Sequence, residues 1–174
     1  MPINQTSITV ADQPLPRFTQ DQQTRSWVLS GQRRLRPSRL EILRYAQREI
    51  ANLRRLPHDW DGSGGAPLRG YLANVAISFI AGLVTEDGLA TPQFSPLPDG
   101  GLNVVWLVGG DRLTMSLEHD ELGLYGTWAD GHDAFRFEQR WGTFLPSELE
   151  VAFNDARTFL EKISTRVQHQ LTVS

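Results

Sequence analysis

From Leu102 to Trp141 the side chains alternate, and this alternation constrains the fold more than any other feature of the chain. Leu102, Val104, Trp106 and Val108 are apolar at every second position. In the next run Leu113, Met115 and Leu117 fall on one side and Arg112, Thr114, Ser116 and Glu118 on the other. In the last run Phe135, Phe137 and Trp141 oppose Arg136, Glu138 and Arg140. A period of two with one apolar side describes strands that are buried on one face and wet on the other. Pro98-Asp99-Gly100-Gly101, Gly109-Gly110-Asp111, Asp120-Glu121 and Asp130-Gly131 read as turns. Connections this short make consecutive strands antiparallel neighbours. The segment therefore predicts a meander of four strands, or five if residues 93–97 add a short first one.

An apolar sheet face needs a cover, and the flanking segments have helical period. Ser38 and Glu41 have capping-box spacing just after Pro37. Leu40, Leu43, Ala46, Ile50 and Leu53 then form one stripe, which Pro57 ends. Pro67 suits the first position of a second helix. Its apolar face is Leu68, Tyr71, Leu72, Val75, Ala76, Phe79, Ile80 and Leu83; Ala73, Ile77 and Ala81 behind it predict a central position, and Gly88 a stop. A third helix is expected from Ser147, with Glu150 as capping partner and Leu149, Ala152, Phe153, Ala156, Phe159, Leu160, Ile163 and Val167 as its stripe. The expected fold class is α+β, an antiparallel meander of four to five strands with one face covered by three helices, in the order α-α-β-β-β-β-α. Residues 1–35 carry six Gln together with Pro14 and Pro16. They predict a flexible or extended N-terminal arm ahead of a single domain over 36–174.

Composition narrows the chemistry. The 174 residues include no Cys, which excludes a disulfide scaffold, Cys-ligated zinc, iron–sulfur clusters and thiol catalysis. The longest apolar run, Val75 to Val84, is interrupted by Ser78 and Gly82 and is about half of the ~20 residues that a membrane span needs. Met1-Pro2-Ile3-Asn4-Gln5 has neither the basic start nor the apolar stretch of a secretion signal. A cytoplasmic location without membrane contact is expected.

The formal charge of −3 hides a division. Residues 25–55 carry nine Arg against Glu41 and Glu49, whereas residues 56–174 carry sixteen acidic residues against seven cations. Arg33, Arg34, Arg36, Arg39, Arg44, Arg48, Arg54 and Arg55 form a basic segment of the sign that phosphate attracts. The same residues can instead pair with the acidic body, within the chain or between copies. The second helix follows after a long loop, not the 3–4-residue turn of a helix-turn-helix.

Three His-Asp pairs, at His58, His119 and His132, invite a metal reading. The meander argues against a shared site, because it puts the turns at His119 and His132 at opposite ends of one strand. Asp59-Trp60-Asp61-Gly62-Ser63-Gly64 has the letters of a cation loop but lacks the closing Glu of an EF-hand. Ser63-Gly64-Gly65 ahead of a helix could cradle an anion, though no Lys-Ser/Thr follows. Glu118 and Glu138 could share the wet face as an acid–base pair, or pair across strands with Arg112, Arg136 and Arg140.

At Leu56-Pro57-His58-Asp59-Trp60-Asp61-Gly62, then Pro67, then Pro98-Asp99-Gly100, then Trp106, the chain resembles a family of small uncharacterised bacterial proteins. That family combines a Leu-Pro-x-x-Trp-Asp-Gly loop, an apolar helix, a Pro-Asp-Gly turn and a strand containing Trp. The resemblance spans about 56–126, and it implies Glu just before the strand Trp, where this chain has Val105. It implies a domain found near mobile or defence-related genes, and no particular reaction.

These readings point first to a non-enzymatic protein-binding module, immunity- or antitoxin-like. Its expected contact residues are Trp27, Arg33, Arg34, Arg36, Arg44, Arg48 and Arg55, with His58, Trp60 and Asp61 in the following loop. No catalytic residue, metal ligand or cofactor is expected. The expected partner is another protein, and a homo-oligomer is compatible with the sequence. The alternatives are nucleic-acid binding through 25–55 and a hydrolase that uses loop 58–66.

Overall fold

The computed structural model describes residues 37–143 and 145–172, which lie within the compact unit Leu35–Ser174. The alternating segment forms five strands: β1 (Gln93–Pro96), β2 (Leu102–Val108), β3 (Asp111–Leu117), β4 (Glu121–Thr127) and β5 (Asp133–Arg140). They lie side by side in chain order, and every neighbouring pair is antiparallel. The register aligns Phe94, Val104, Met115, Leu124 and Phe137 in one row across all five strands. Val104, Met115 and Leu124 in this row are fully buried. The next row, Gln93, Val105, Thr114, Tyr125 and Arg136, faces the other way.

Three helices complete the described fold: α1 (Arg39–Leu53), α2 (Gly70–Leu83) and α3 (Pro146–Thr172). The element order and the one-faced antiparallel sheet agree with the α+β expectation. α1 starts as its sequence requires. The Ser38 hydroxyl accepts from the Glu41 amide, and the Glu41 carboxylate accepts from the Ser38 amide. That amide holds the Glu41 carboxyl below the usual carboxylate range. The buried row of α1 differs from the expected stripe. Ile42, Ala46 and Ile50 are buried, while Leu40 is 54% exposed. At about 100° per residue, Leu40 stands roughly 120° round the helix from Ala46, off the face that Ile42 and Ile50 share.

α2 begins later than Pro67 because the residues before it have other partners. The Ala66 amide donates to Pro98 O at 2.9 Å, Leu68 to Leu53 O at 3.3 Å and Arg69 to Gly100 O at 3.0 Å. These bonds keep 66–69 extended, and Arg69 becomes the N-cap without a side-chain cap. At α3, Pro146 takes the first helical position, where its missing N–H costs nothing. The Leu145 amide donates to the Glu148 carboxylate at 2.9 Å, so Glu148 and not Glu150 reaches back.

α2 lies against both α1 and α3, as its apolar back requires. α3 crosses β2 to β5, and α1 touches β1. The core is the layer between these helices and one sheet face, with Ile80, Leu83, Trp106, Leu113, Leu160 and Ile163 at its centre. No helix among the described residues is long and apolar enough to cross a membrane.

α2 has no basic residue in its last turn. Its C-terminal carbonyls are instead bonded by guanidinium groups from the flanking helices. Arg39 Nε donates to Val84 O at 2.8 Å, and Arg157 Nη2 donates to Gly82 O at 3.1 Å. Cations there meet both the unpaired carbonyls and the negative end of the helix dipole. Arg39, grouped by sequence with the basic segment, thus has a structural partner.

Candidate functional site

The expected site residues divide into three places. Trp27, Arg33, Arg34 and Arg36 lie outside the described residues. Arg44 and Arg48 stand on the outward side of α1, and Arg55 just past its end. The Arg48 Nε lies 3.3 Å from the Glu49 carboxylate, and its guanidinium sits 5.3 Å from the centre of the Tyr45 ring. His58, Trp60 and Asp61 share the loop after α1.

That loop closes on itself. Asp59 has a left-handed backbone, φ 64°, which Asp tolerates better than most residues. Its carboxylate accepts from Gly64 N, and its amide donates to Gly65 O at 2.7 Å. Asp61 Oδ1 accepts from Ser63 N at 2.9 Å and from Gly65 N at 2.8 Å. These amides hold the Asp61 carboxyl below the usual carboxylate range. Trp60 is half-buried, and its indole Nε1 donates to Ala66 O at 3.1 Å. The amides that could cradle an anion therefore already face two carboxylates of the same loop.

The loop meets the turn at Pro98–Gly100 through the Ala66–Pro98 and Arg69–Gly100 bonds. A second polar group stands beside this junction. Arg69 Nη1 is 2.6 Å from His119 Nδ1. A guanidinium can only donate, so Nδ1 accepts and the ring proton sits on Nε2. The Tyr71 hydroxyl is 2.9 Å from the same nitrogen and 3.0 Å from His119 O. Asp99 accepts from Gly101 N at 2.9 Å and His119 N at 3.2 Å. Sequence reading missed Arg69 and Tyr71, because their partner is some fifty residues away. His132 lies in the turn between β4 and β5, at the other end of β4 from His119. Among the described residues no group of three or more His, Cys, Asp or Glu could hold a metal ion.

The third place is the open side of the sheet. Val105, Thr114 and Tyr125 are half-exposed there, and Leu107 is 50% exposed. The Tyr125 ring lies along the strand over Gly123, where a Cβ would overlap it. The wet-face carboxylates do not pair across strands as expected. Arg136 bonds Glu138 two residues along the same strand. Glu138 is lowered in pKa, first by Arg136 and then by hydrogen bonds from Glu121 and Tyr125. Glu121 is raised, first by its hydrogen bond with Glu138 and then by burial and the nearby Glu118 and Asp120 charges. The two carboxyls are thus shifted in opposite directions, Glu121 up and Glu138 down. Glu138 and Arg136 are exposed, and Glu121 and Tyr125 are half-exposed.

No family model, curated protein or solved structure matches this chain.

Proposed function

We propose that this chain is a non-enzymatic bacterial protein-binding module, immunity- or antitoxin-like in role, which meets its partner with the sheet face that the described helices leave open. The observation that carries this reading is the five-stranded face left open by all three helices. Val105, Leu107 and Tyr125 supply apolar area on it, and the Arg136–Glu138 pair sits beside them. Protein interfaces combine apolar and aromatic anchors with a polar surround in this way. The closure of loop 58–66 on its own carboxylates favours a structural role there over a hydrolytic one.

The test is affinity capture with the full chain and with a Leu107→Asp/Thr114→Lys variant. The reading expects a partner held by the parent chain, lost by the variant, and kept by an Arg44→Glu chain altered on the helical side. Equal capture by the parent and the Leu107→Asp/Thr114→Lys chains would sink it. Capture by a chain lacking residues 1–35 measures what Trp27 and its neighbours add.

Nucleic-acid binding keeps one observation in its favour. Arg44, Arg54 and Arg55 are exposed, and none has a carboxylate within 4.0 Å among the described residues. A mobility shift at low salt that weakens steeply as salt rises would favour it. Absence of any shift at low salt counts against it.

A further inference from the structure

We propose that His119 is a proton-operated latch: its neutral imidazole holds the Arg69 side chain across the end of the sheet, and protonation at Nδ1 releases it. None of the open-face residues enters this inference.

Arg69, the N-cap of α2, is strapped over two turns. Its amide donates to Gly100 O at 3.0 Å. Its side chain runs over Gly100, where an added Cβ would come within 3.1 Å of Arg69 Cγ and 3.3 Å of Nε. It ends with Nη1 2.6 Å from His119 Nδ1, in the turn between β3 and β4. The positive end of the α2 dipole repels a cation at this position, and the hydrogen bond to the imidazole offsets that repulsion.

Two groups meet at Nδ1, and this nitrogen has one lone pair to give. Arg69 has only protons to offer, so it takes the lone pair. Tyr71 Oη lies 2.9 Å from the same nitrogen and gives its single proton to His119 O at 3.0 Å instead. The oxygen of Tyr71 therefore stands ready beside a nitrogen that carries no proton.

Protonation reverses this arrangement. A proton taken from solvent onto Nδ1 joins the one already on Nε2 and makes an imidazolium. The new N–H donates to Tyr71 Oη, which stays bonded to His119 O. Arg69 loses its acceptor and meets a like charge at hydrogen-bond distance. The turn itself keeps its place, because its other bonds use the His119 backbone. His119 N donates to the Asp99 carboxylate at 3.2 Å, and His119 O accepts from Tyr71. Both protonation states thus satisfy Nδ1 and Tyr71, and they differ in what becomes of Arg69.

Charged neighbours reach this corner from each element around it. The α2 entry supplies Arg69 and Tyr71, the β1–β2 turn supplies Asp99, and Glu118 and Asp120 flank His119 in its own turn. β5 reaches the turn through Trp141, whose indole donates to Glu118 O, and sets Arg140 in register with Glu121. At the end of α1, Arg54 Nη2 lies 3.7 Å from the Cβ position of Gly70. Carboxylate, guanidinium and phenol groups ordinarily keep their charge between about pH 5 and 8, whereas histidine changes its own. Glu121, raised by Glu138, is the other neighbour that titrates toward this range, and a variant separates the two.

NMR of the full nitrogen-15-labelled chain tests the latch, with circular dichroism to check folding. At about pH 8 the His119 ring should show the Nε2–H tautomer. The Arg69 Nη protons should then give separate signals, with a coupling across the hydrogen bond to Nδ1. At about pH 5 His119 should be an imidazolium, and that coupling should be lost as the guanidinium rotates freely. His119→Asn replaces Nδ1 by a neutral amide oxygen that does not titrate, and should keep Arg69 restrained in both samples. An Nδ1–H tautomer in the alkaline sample overturns the proposal. So does an Arg69 that stays restrained beside an imidazolium, or a ring still neutral in the acid sample. Release of Arg69 on acidification of folded His119→Asn also overturns it and assigns the effect to Glu121.

Discussion

Glu121 is a single carboxyl whose neighbours decide its protonation. Its interaction with Glu138, whose own carboxyl is held low by Arg136, raises Glu121 above the ordinary value of 4.5. The sign follows. A group whose pKa is raised by folding stabilises the fold most below its unfolded pKa, and the contribution is lost as pH rises through the folded value. Once ionised, above its raised value, Glu121 is repelled by Glu138, Glu118 and Asp120. Glu121→Gln keeps a donor for Glu138 and removes that repulsion. The expected outcome is a higher Tm than the parent above the raised Glu121 value, with the gain shrinking as pH falls through that value toward 4.5. An identical Tm at every pH from 4.5 up to mildly alkaline would refute it. Trp106 shows a different residue-scale tension: it is fully buried, yet its Nε1 has no hydrogen-bond partner among the described residues.

At the scale of elements, the end of α2 is the place where one helix depends on its neighbours. Arg157 combines a hydrogen bond to Gly82 O with a charge at the negative end of the helix. Arg157→Ala should destabilise the protein by on the order of 1–2 kcal/mol. Urea denaturation would measure this, and a loss near zero would show that the carbonyls find water equally well. This cap was not legible in the sequence, because Arg157 is 75 residues from its acceptor and reads locally as a polar helix position. The start of α2 was hidden for a similar reason. Pro67 has the right local chemistry, but 66–69 are held extended by a turn thirty residues on. By contrast, the strands, the α1 cap and the order of elements were legible, since they rest on period and on neighbours three residues apart. Of the candidate site, the loop 58–61 was visible as a motif, but its closure by Asp59 and Asp61 depends on backbone geometry that spacing does not convey. The Arg69–Tyr71–His119 group, joined only by the fold, left no local signal.

The unit Leu35–Ser174 is built on a sheet with two unlike faces, and substitutions should report which face they touch. Leu124 is fully buried under α3, and Leu107 is half-exposed on the open side. Leu124→Ala should cost about 2–5 kcal/mol, because it removes apolar contact and leaves a cavity. Leu107→Ala should stay within about 0.5 kcal/mol. Chemical denaturation of the two variants checks the pair, and comparable losses would mean that both faces are covered.

The meander also governs how the chain assembles. Each strand pairs with the next one in sequence, so every hairpin closes a short loop, and contacts of this kind favour rapid folding. α3 crosses four strands yet follows all of them along the chain. During synthesis the apolar side of the sheet therefore exists before most of its cover has left the ribosome. In that interval Trp106, Met115 and Leu124 are without α3, and the nascent chain is at its stickiest. Chaperone capture and aggregation compete with folding at that stage.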